Sequence, residues 1–187
     1  MQIVGIPGSL RAGSFNLALL RAAAELAPDG VTVYVASIRG IPLYDGDLEQ
    51  KDGIPAAVAA LKDRVAAAGG LLIASPEYNG SVPGVLKNTV DWMTRPPSDS
   101  SRVFGGLPVA LTGATPGGTG TRLAQTAWLS VLRNLGTRPW FGKNLFVGGA
   151  STLFDEQMRL TDEPMRERVA AWIEGFARFV AQSSPRG

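Results

Sequence analysis

Apolar positions follow two alternating rhythms along this chain. Short, nearly continuous apolar runs at residues 2–6 (QIVGI), 70–75 (GLLIAS) and 107–112 (LPVALT) read as strands. The β-branched run 31–36 (VTVYVA) reads the same way, and 144–147 (NLFV) as a short last strand. The stretches between them carry a helical rhythm. Residues 15–26 are rich in alanine and leucine, and Ile54, Val58, Leu61 and Val65 recur at 4-3-4 spacing, one face of a helix. Residues 83–94 read as a helix opening on Pro83, a favoured early helical residue. Residues 120–135 form another, ended by Gly136. Met165, Val169, Trp172, Phe176 and Phe179 mark an amphipathic C-terminal helix, for which Thr161 is a suitable N-cap.

Five βα units in succession predict an α/β fold with a parallel sheet and right-handed crossovers. The continuous apolar character of strands one, three and four agrees with a sheet covered on both faces. Five such strands suit the doubly wound order 2-1-3-4-5 in a single domain over residues 1–187. In these sheets a ligand sits beyond the carboxyl ends of the strands, where the winding reverses between strands one and three. The loops after strands one, three and four are therefore the place to look for chemistry.

Composition narrows what that chemistry can be. The 187 residues include no cysteine and no histidine. Disulfides, thiolate nucleophiles, Cys-ligated metals and the commonest general base are thereby excluded. Catalysis must lean on carboxylates, hydroxyls, backbone amides or a cofactor. The net charge is +2 with scattered basic residues, which argues against a nucleic-acid partner. No apolar run approaches the roughly 20 residues of a membrane span. The N-terminus has no basic stretch followed by a long apolar one, so a cytoplasmic location is expected.

The first loop reads GSLRAGSFN, residues 8–16. Gly8 and Gly13 have the G-x-x-x-x-G spacing of a Walker A loop. Ser14 then stands where that motif needs lysine, and Phe15 where it needs the magnesium-binding hydroxyl, so a metal-bound triphosphate is not expected. Ser9, Arg11, Ser14 and Asn16 remain at a helix start, good chemistry for a single phosphate. The second loop, SPEYNGSVPGVLKN (75–88), offers Tyr78, the Asn79 amide and backbone N–H groups to a flat heterocycle, with Ser81 placed to cap the next helix. The third, TGATPGGTGT (112–121), is small and open enough for close backbone approach to a ligand.

These loops resemble those of the NADPH-dependent FMN reductase family, whose members include quinone, chromate and azo-dye reductases. Asp91-Trp92 and the segment FDEQMRLTDE (154–163) extend the resemblance over nearly the whole chain. It implies a flavodoxin-like three-layer sandwich. It also implies FMN as cofactor, NADPH or NADH as hydride donor and a small-molecule acceptor. By the same resemblance, Ser9, Arg11, Ser14 and Asn16 would hold the FMN phosphate, with Phe15 also among the cofactor-binding residues. Pro76, Glu77, Tyr78, Asn79, Gly80 and Ser81 would line the ring edge, and Thr112, Gly113 and Ala114 would flank the ring and ribityl chain. No metal is implied and no side chain acts as nucleophile, since the flavin carries the hydride chemistry. Family members are homodimers or homotetramers with the flavin at a subunit interface, near which Asp91 and Trp92 would lie. Two positions depart from the family pattern: Leu123 stands before Ala124-Gln125 where relatives often have arginine, and Trp140 follows Pro139 where they often have glutamate. A one-electron carrier and a non-catalytic flavin-binding protein are the competing readings. The slightly basic charge speaks against the carrier, because such carriers are typically acidic.

Overall fold

The computed structural model describes residues 1–183. The chain begins with β1 (Gln2–Pro7), α1 (Phe15–Glu25), β2 (Thr32–Val35), α2 (Gly46–Asp52), α3 (Ala56–Ala67) and β3 (Gly70–Ala74). It continues with α4 (Gly84–Met93), α5 (Ser100–Phe104), β4 (Pro108–Ala114), α6 (Arg122–Asn134), β5 (Arg138–Pro139), β6 (Leu145–Val147) and α7 (Glu163–Ala181). All strand pairs are parallel, in the order β2-β1-β3-β4-β5, with β6 also on β4. This is the expected order with one difference. The last position in the sheet is filled by two short pieces: β5 pairs with Pro108 and Val109, while β6 pairs with Thr112 to Ala114. The intervening bend at residues 140–144 places Gly142 against the indole of Trp140, where a Cβ would lie 2.5 Å from Nε1. The bend thus needs glycine, and it splits one strand into two.

Successive strand residues face opposite sides, so each strand feeds two cores. Ile3 and Leu72 join Leu19 and Leu20 of α1 and Trp172 and Phe176 of α7 on one face. Val4, Leu71 and Ile73 join Val65 of α3, Leu86 and Val90 of α4 and Trp128 of α6 on the other. The result is three layers, helix on sheet on helix.

Two helices escaped the apolar pattern for a plain reason. α2 buries no residue and is set by Asp45, whose carboxylate accepts the Asp47 N–H at 2.9 Å. α5 is only five residues long. The α7 cap falls on Asp162, not Thr161: its carboxylate accepts the Met165 N–H at 2.9 Å. A cap at Thr161 would face Pro164 at the third helical position, which has no N–H to give. Nor does Ser81 cap α4. Pro83 occupies that position without a side-chain bond, and the Ser81 backbone closes a turn instead. Among the described residues no helix is long and apolar enough to cross a membrane. The last four residues of the expected 1–187 domain lie outside the described part.

Candidate functional site

The first loop is seated by backbone. After β1 the Gly8 N–H donates to the Ala74 carbonyl at 2.8 Å, continuing the β1–β3 ladder. Gly8 must be glycine, since a Cβ would come within 2.7 Å of the Pro76 ring and 2.8 Å of Leu86. The chain then turns into α1, where the buried Ser14 hydroxyl accepts the Leu17 N–H at 3.2 Å. No acidic side chain occupies the first turn of α1. Its leading N–H groups have no intrahelical acceptors and present the positive end of the helix dipole. The Ser9 hydroxyl accepts the Arg11 N–H at 3.3 Å. Arg11 is exposed and forms no ion pair with a carboxylate among the described residues.

Asn16 has a different task from the expected phosphate contact. Its buried carboxamide donates to the Ala114 carbonyl and accepts the Ala114 N–H, both at 3.0 Å. It ties the start of α1 to the end of β4, and so fixes the distance between the first and third loops.

The second loop is a two-residue hairpin. Tyr78 and Ser81 exchange both backbone bonds, at 3.1 and 3.0 Å, around Asn79 and Gly80 at φ of +51° and +71°. Two positive φ values in succession are the signature of a type I′ turn, and Asn-Gly is its favoured pair. The N–H groups of Tyr78 and Ser81 are thus spent within the turn. Tyr78 is 48% exposed at its edge. The Glu77 carboxylate accepts the N–H groups of Leu123 and Ala124, at 2.9 and 3.2 Å. It caps α6 from a distant loop, in place of Thr121, whose side chain makes no capping bond. This role had no local signal, because cap and helix are 46 residues apart.

The third loop begins later than its small residues suggest. Thr112 to Ala114 are the end of β4. Thr112 is fully buried and its hydroxyl donates to the Leu145 carbonyl at 2.9 Å. A Cβ on Gly113 would lie 2.0 Å from the Thr121 hydroxyl and 2.3 Å from the Ser75 carbonyl, so this glycine serves packing between strands and loop.

One cleft results, lined by Ser9, Arg11, Ser14, Phe15 and Asn16, by Pro76, Glu77 and Tyr78, and by Ala114. Gly13, Thr115 and Pro116 join it; they lie within the first and third loops but were not singled out there as contacts. Asn79, Gly80, Ser81, Thr112 and Gly113 do not line it. They shape the turn and the strand end that frame it. Trp92 is fully buried, donates from Nε1 to the Pro42 carbonyl at 2.9 Å and meets Tyr44 edge-on at 5.0 Å, which makes it a core residue. Asp91 is half-exposed and pairs with Lys87 at 2.7 Å.

A doubly wound parallel sheet whose loops form one polar cleft at its switch end has the flavodoxin-like architecture of nucleotide-cofactor proteins. The comparisons with known proteins carry this to a family. The model of the NADPH-dependent FMN reductase family matches residues 1–152. An NAD(P)H-dependent FMN reductase of Pseudomonas aeruginosa is 39% identical over 180 residues, 96% of this chain and 95% of that protein. A quinone reductase of Escherichia coli is 35% identical over 183 residues, covering 96% and 95%. The solved structure of the flavoenzyme NAD(P)H:(acceptor) oxidoreductase FerB from Paracoccus denitrificans superimposes with a TM-score of 0.86 at 28% identity, covering 97% of this chain and 98% of that one. The chain therefore belongs to the NADPH-dependent FMN reductase family, and by that membership is an oxidoreductase using FMN and a reduced nicotinamide dinucleotide.

Proposed function

We propose that the protein binds FMN in this cleft and transfers hydride equivalents from NAD(P)H to quinones, working as a cytoplasmic homodimer. The observation that carries the reading is the convergence of three loops on one cleft. Ser9, Arg11 and Ser14 stand at the positive end of α1, opposite Pro76, Tyr78 and Ala114. The residues fit the cofactor. Hydroxyls, a guanidinium without a carboxylate partner and helix N–H groups suit a phosphate monoester. Glu77, the one carboxylate in the lining, has one oxygen held by the α6 N–H groups. Small and apolar positions further along suit an uncharged ring.

FMN, when bound, supplies the hydride-accepting and hydride-donating chemistry that no side chain here provides. The protein's part is placement. Ser9, Arg11 and Ser14 would hold the phosphate, while the Asn16–Ala114 tie keeps the first and third loops at a fixed separation. The rigid Asn79-Gly80 turn would hold the ring edge, and Tyr78 would cover one side of it. With the turn's two inner N–H groups already paired, those of Asn79 and Gly80 are the donors left there for charge on the reduced ring. Donor and acceptor would use the same face in turn, so placement rather than acid–base chemistry sets the rate.

The dimer reading rests on family membership and on large apolar side chains left exposed on the surface. Leu43 is 79% exposed and Leu123 59%, and Leu123 lies against the Asn79-Gly80 turn. Sedimentation of the FMN-loaded protein at a monomer's mass would refute it. Anaerobic stopped-flow tests the chemistry: the yellow of bound FMN should bleach on mixing with NADPH and return on adding menadione. Flavin that stays oxidised would overturn the reading. A panel of free flavin, an azo dye and chromate then ranks acceptors beside the quinone.

A further inference from the structure

A second cleft opens on the other side of the first loop, between it and the chain leaving β2. Its walls include Ser9, Arg11, Arg21, Ser37 and Arg39. No aspartate or glutamate lines it. Elsewhere some guanidinium groups meet carboxylates, as Arg95 does Glu49 at 2.7 Å and Arg102 does Asp99 at 3.0 Å, and others lie over rings, as Arg64 does over Tyr34 and Arg138 over Phe179. Arg11, Arg21 and Arg39 have no carboxylate partner among the described residues, yet they share one cleft. Three like charges around a concavity raise its potential and attract an anion.

The cofactor phosphate does not account for them. FMN has one phosphate, met by Ser9, Arg11 and Ser14 at the start of α1. Arg21 lies seven residues into that helix, about 10 Å along its axis at 1.5 Å per residue. It follows Leu17 by one turn on the same face, and both line the second cleft. Arg39 is placed by a hydrogen bond from its guanidinium to the Leu10 carbonyl, which joins the β2 loop to the first loop and leaves other N–H groups for a ligand. Arg21 and Arg39 therefore serve a second anion. The cleft measures about 290 Å³. That is near the lower bound of small-ligand pockets, roughly 300 Å³, enough for a phosphate and its sugar.

We propose that this cleft binds the 2′-phosphate of NADPH through Arg21 and Arg39, with Ser37 beside them, so that the protein selects NADPH over NADH. The proposal rests on the reading of the first cleft as the flavin site, because the donor must reach the flavin while its phosphate end is held here. A guanidinium accommodates a 2′-phosphate where a carboxylate would accept from the ribose hydroxyls of NADH, and the loop after β2 offers the former.

The test uses the FMN-loaded protein and two fragments without nicotinamide, adenosine 2′,5′-bisphosphate and AMP, titrated by calorimetry. The bisphosphate should bind about tenfold tighter than AMP, the worth of one charge-assisted contact. Arg21→Gln and Arg39→Gln should each erase most of that preference. In steady state, each variant should raise the ratio of KM for NADPH to KM for NADH about tenfold by the same contact. Arg21 makes no hydrogen bond to loop backbone among the described residues, so its variant separates anion binding from loop geometry. Equal affinity for the two fragments, or a preference that survives both substitutions, would overturn the proposal. So would an equal rise in KM for both donors, which would mark a contact to the pyrophosphate they share. A preference for the bisphosphate in a protein whose FMN is not bleached would support this site while overturning the reductase reading.

Discussion

At the scale of single residues, the site depends on polar side chains that face inward as much as on those facing the ligand. Asn16 uses both ends of its carboxamide on one peptide group of β4. Asn16→Ala would leave a buried N–H and carbonyl without partners, and should cost about 2 kcal/mol of stability in urea unfolding. It should also weaken FMN binding, because the two loops it ties would separate. Arg11→Ala should behave in the opposite way. Its guanidinium is exposed and packs no core, so the melting temperature of the apoprotein should hold. The dissociation constant for FMN, read by quenching of flavin fluorescence, should rise about tenfold. An unchanged FMN affinity would remove Arg11 from the phosphate site.

At the scale of elements, the three loops are held by devices that cross between them. Glu77 caps α6 from the second loop, and the Ser75 hydroxyl accepts the indole N–H of Trp128 at 2.9 Å. Gly113 lets β4 pass against Ser75 and Thr121 with no room for a methyl group. One of the obstructing atoms is a backbone carbonyl, which moves only if the strand end moves. Gly113→Ala should therefore destabilise the fold by about 3 kcal/mol, at the upper end of overpacking costs. A differential scanning fluorimetry trace that matches the parent would contradict this geometry.

At the scale of the whole molecule, a charge network fastens the segment after α4. Buried Lys62 reaches the Arg95 carbonyl and pairs with Asp99 at 2.6 Å, and Asp99 also pairs with Arg102. Hydrogen bonds from Arg102 and then Lys62 hold the Asp99 carboxyl well below the usual carboxylate range. The Arg95 hydrogen bond lowers Glu49 in the same direction, helped by Tyr44. A carboxyl lowered by folding contributes stability that is complete above its unfolded pKa and is lost as pH falls towards its folded one. The urea midpoint should thus be nearly level from neutral pH downward and fall once the solution passes below about pH 4, the ordinary carboxylate value. Asp99→Asn should make that acid limb shallower. A limb of unchanged steepness would show that other carboxylates dominate.

Strand order and the gathering of residues 8–16, 76–78 and 114 on one cleft were legible in the sequence. Buried strands must be apolar, a helix start must be capped, and a loop without the Walker lysine does not predict a metal-bound triphosphate. The family motifs sharpened this to FMN, and the comparisons agree with it. Helix α2 was not legible, because it buries nothing and so leaves no apolar rhythm. The division of labour inside the loops was not legible either. Asn16, Glu77, Thr112 and Gly113 have the residue types of ligand contacts, yet three of them spend their polar groups on partners 33 to 98 residues away, and Gly113 spends its missing side chain on packing. Arg21 and Arg39 looked like scattered surface charge until the fold set β2 beside β1 and brought them to one cleft. Sequence alone determined which groups lie at the switch end of the sheet. Only the tertiary structure decided which are free to meet a ligand, because a hydrogen bond or a packing contact formed across the fold leaves no trace in local spacing.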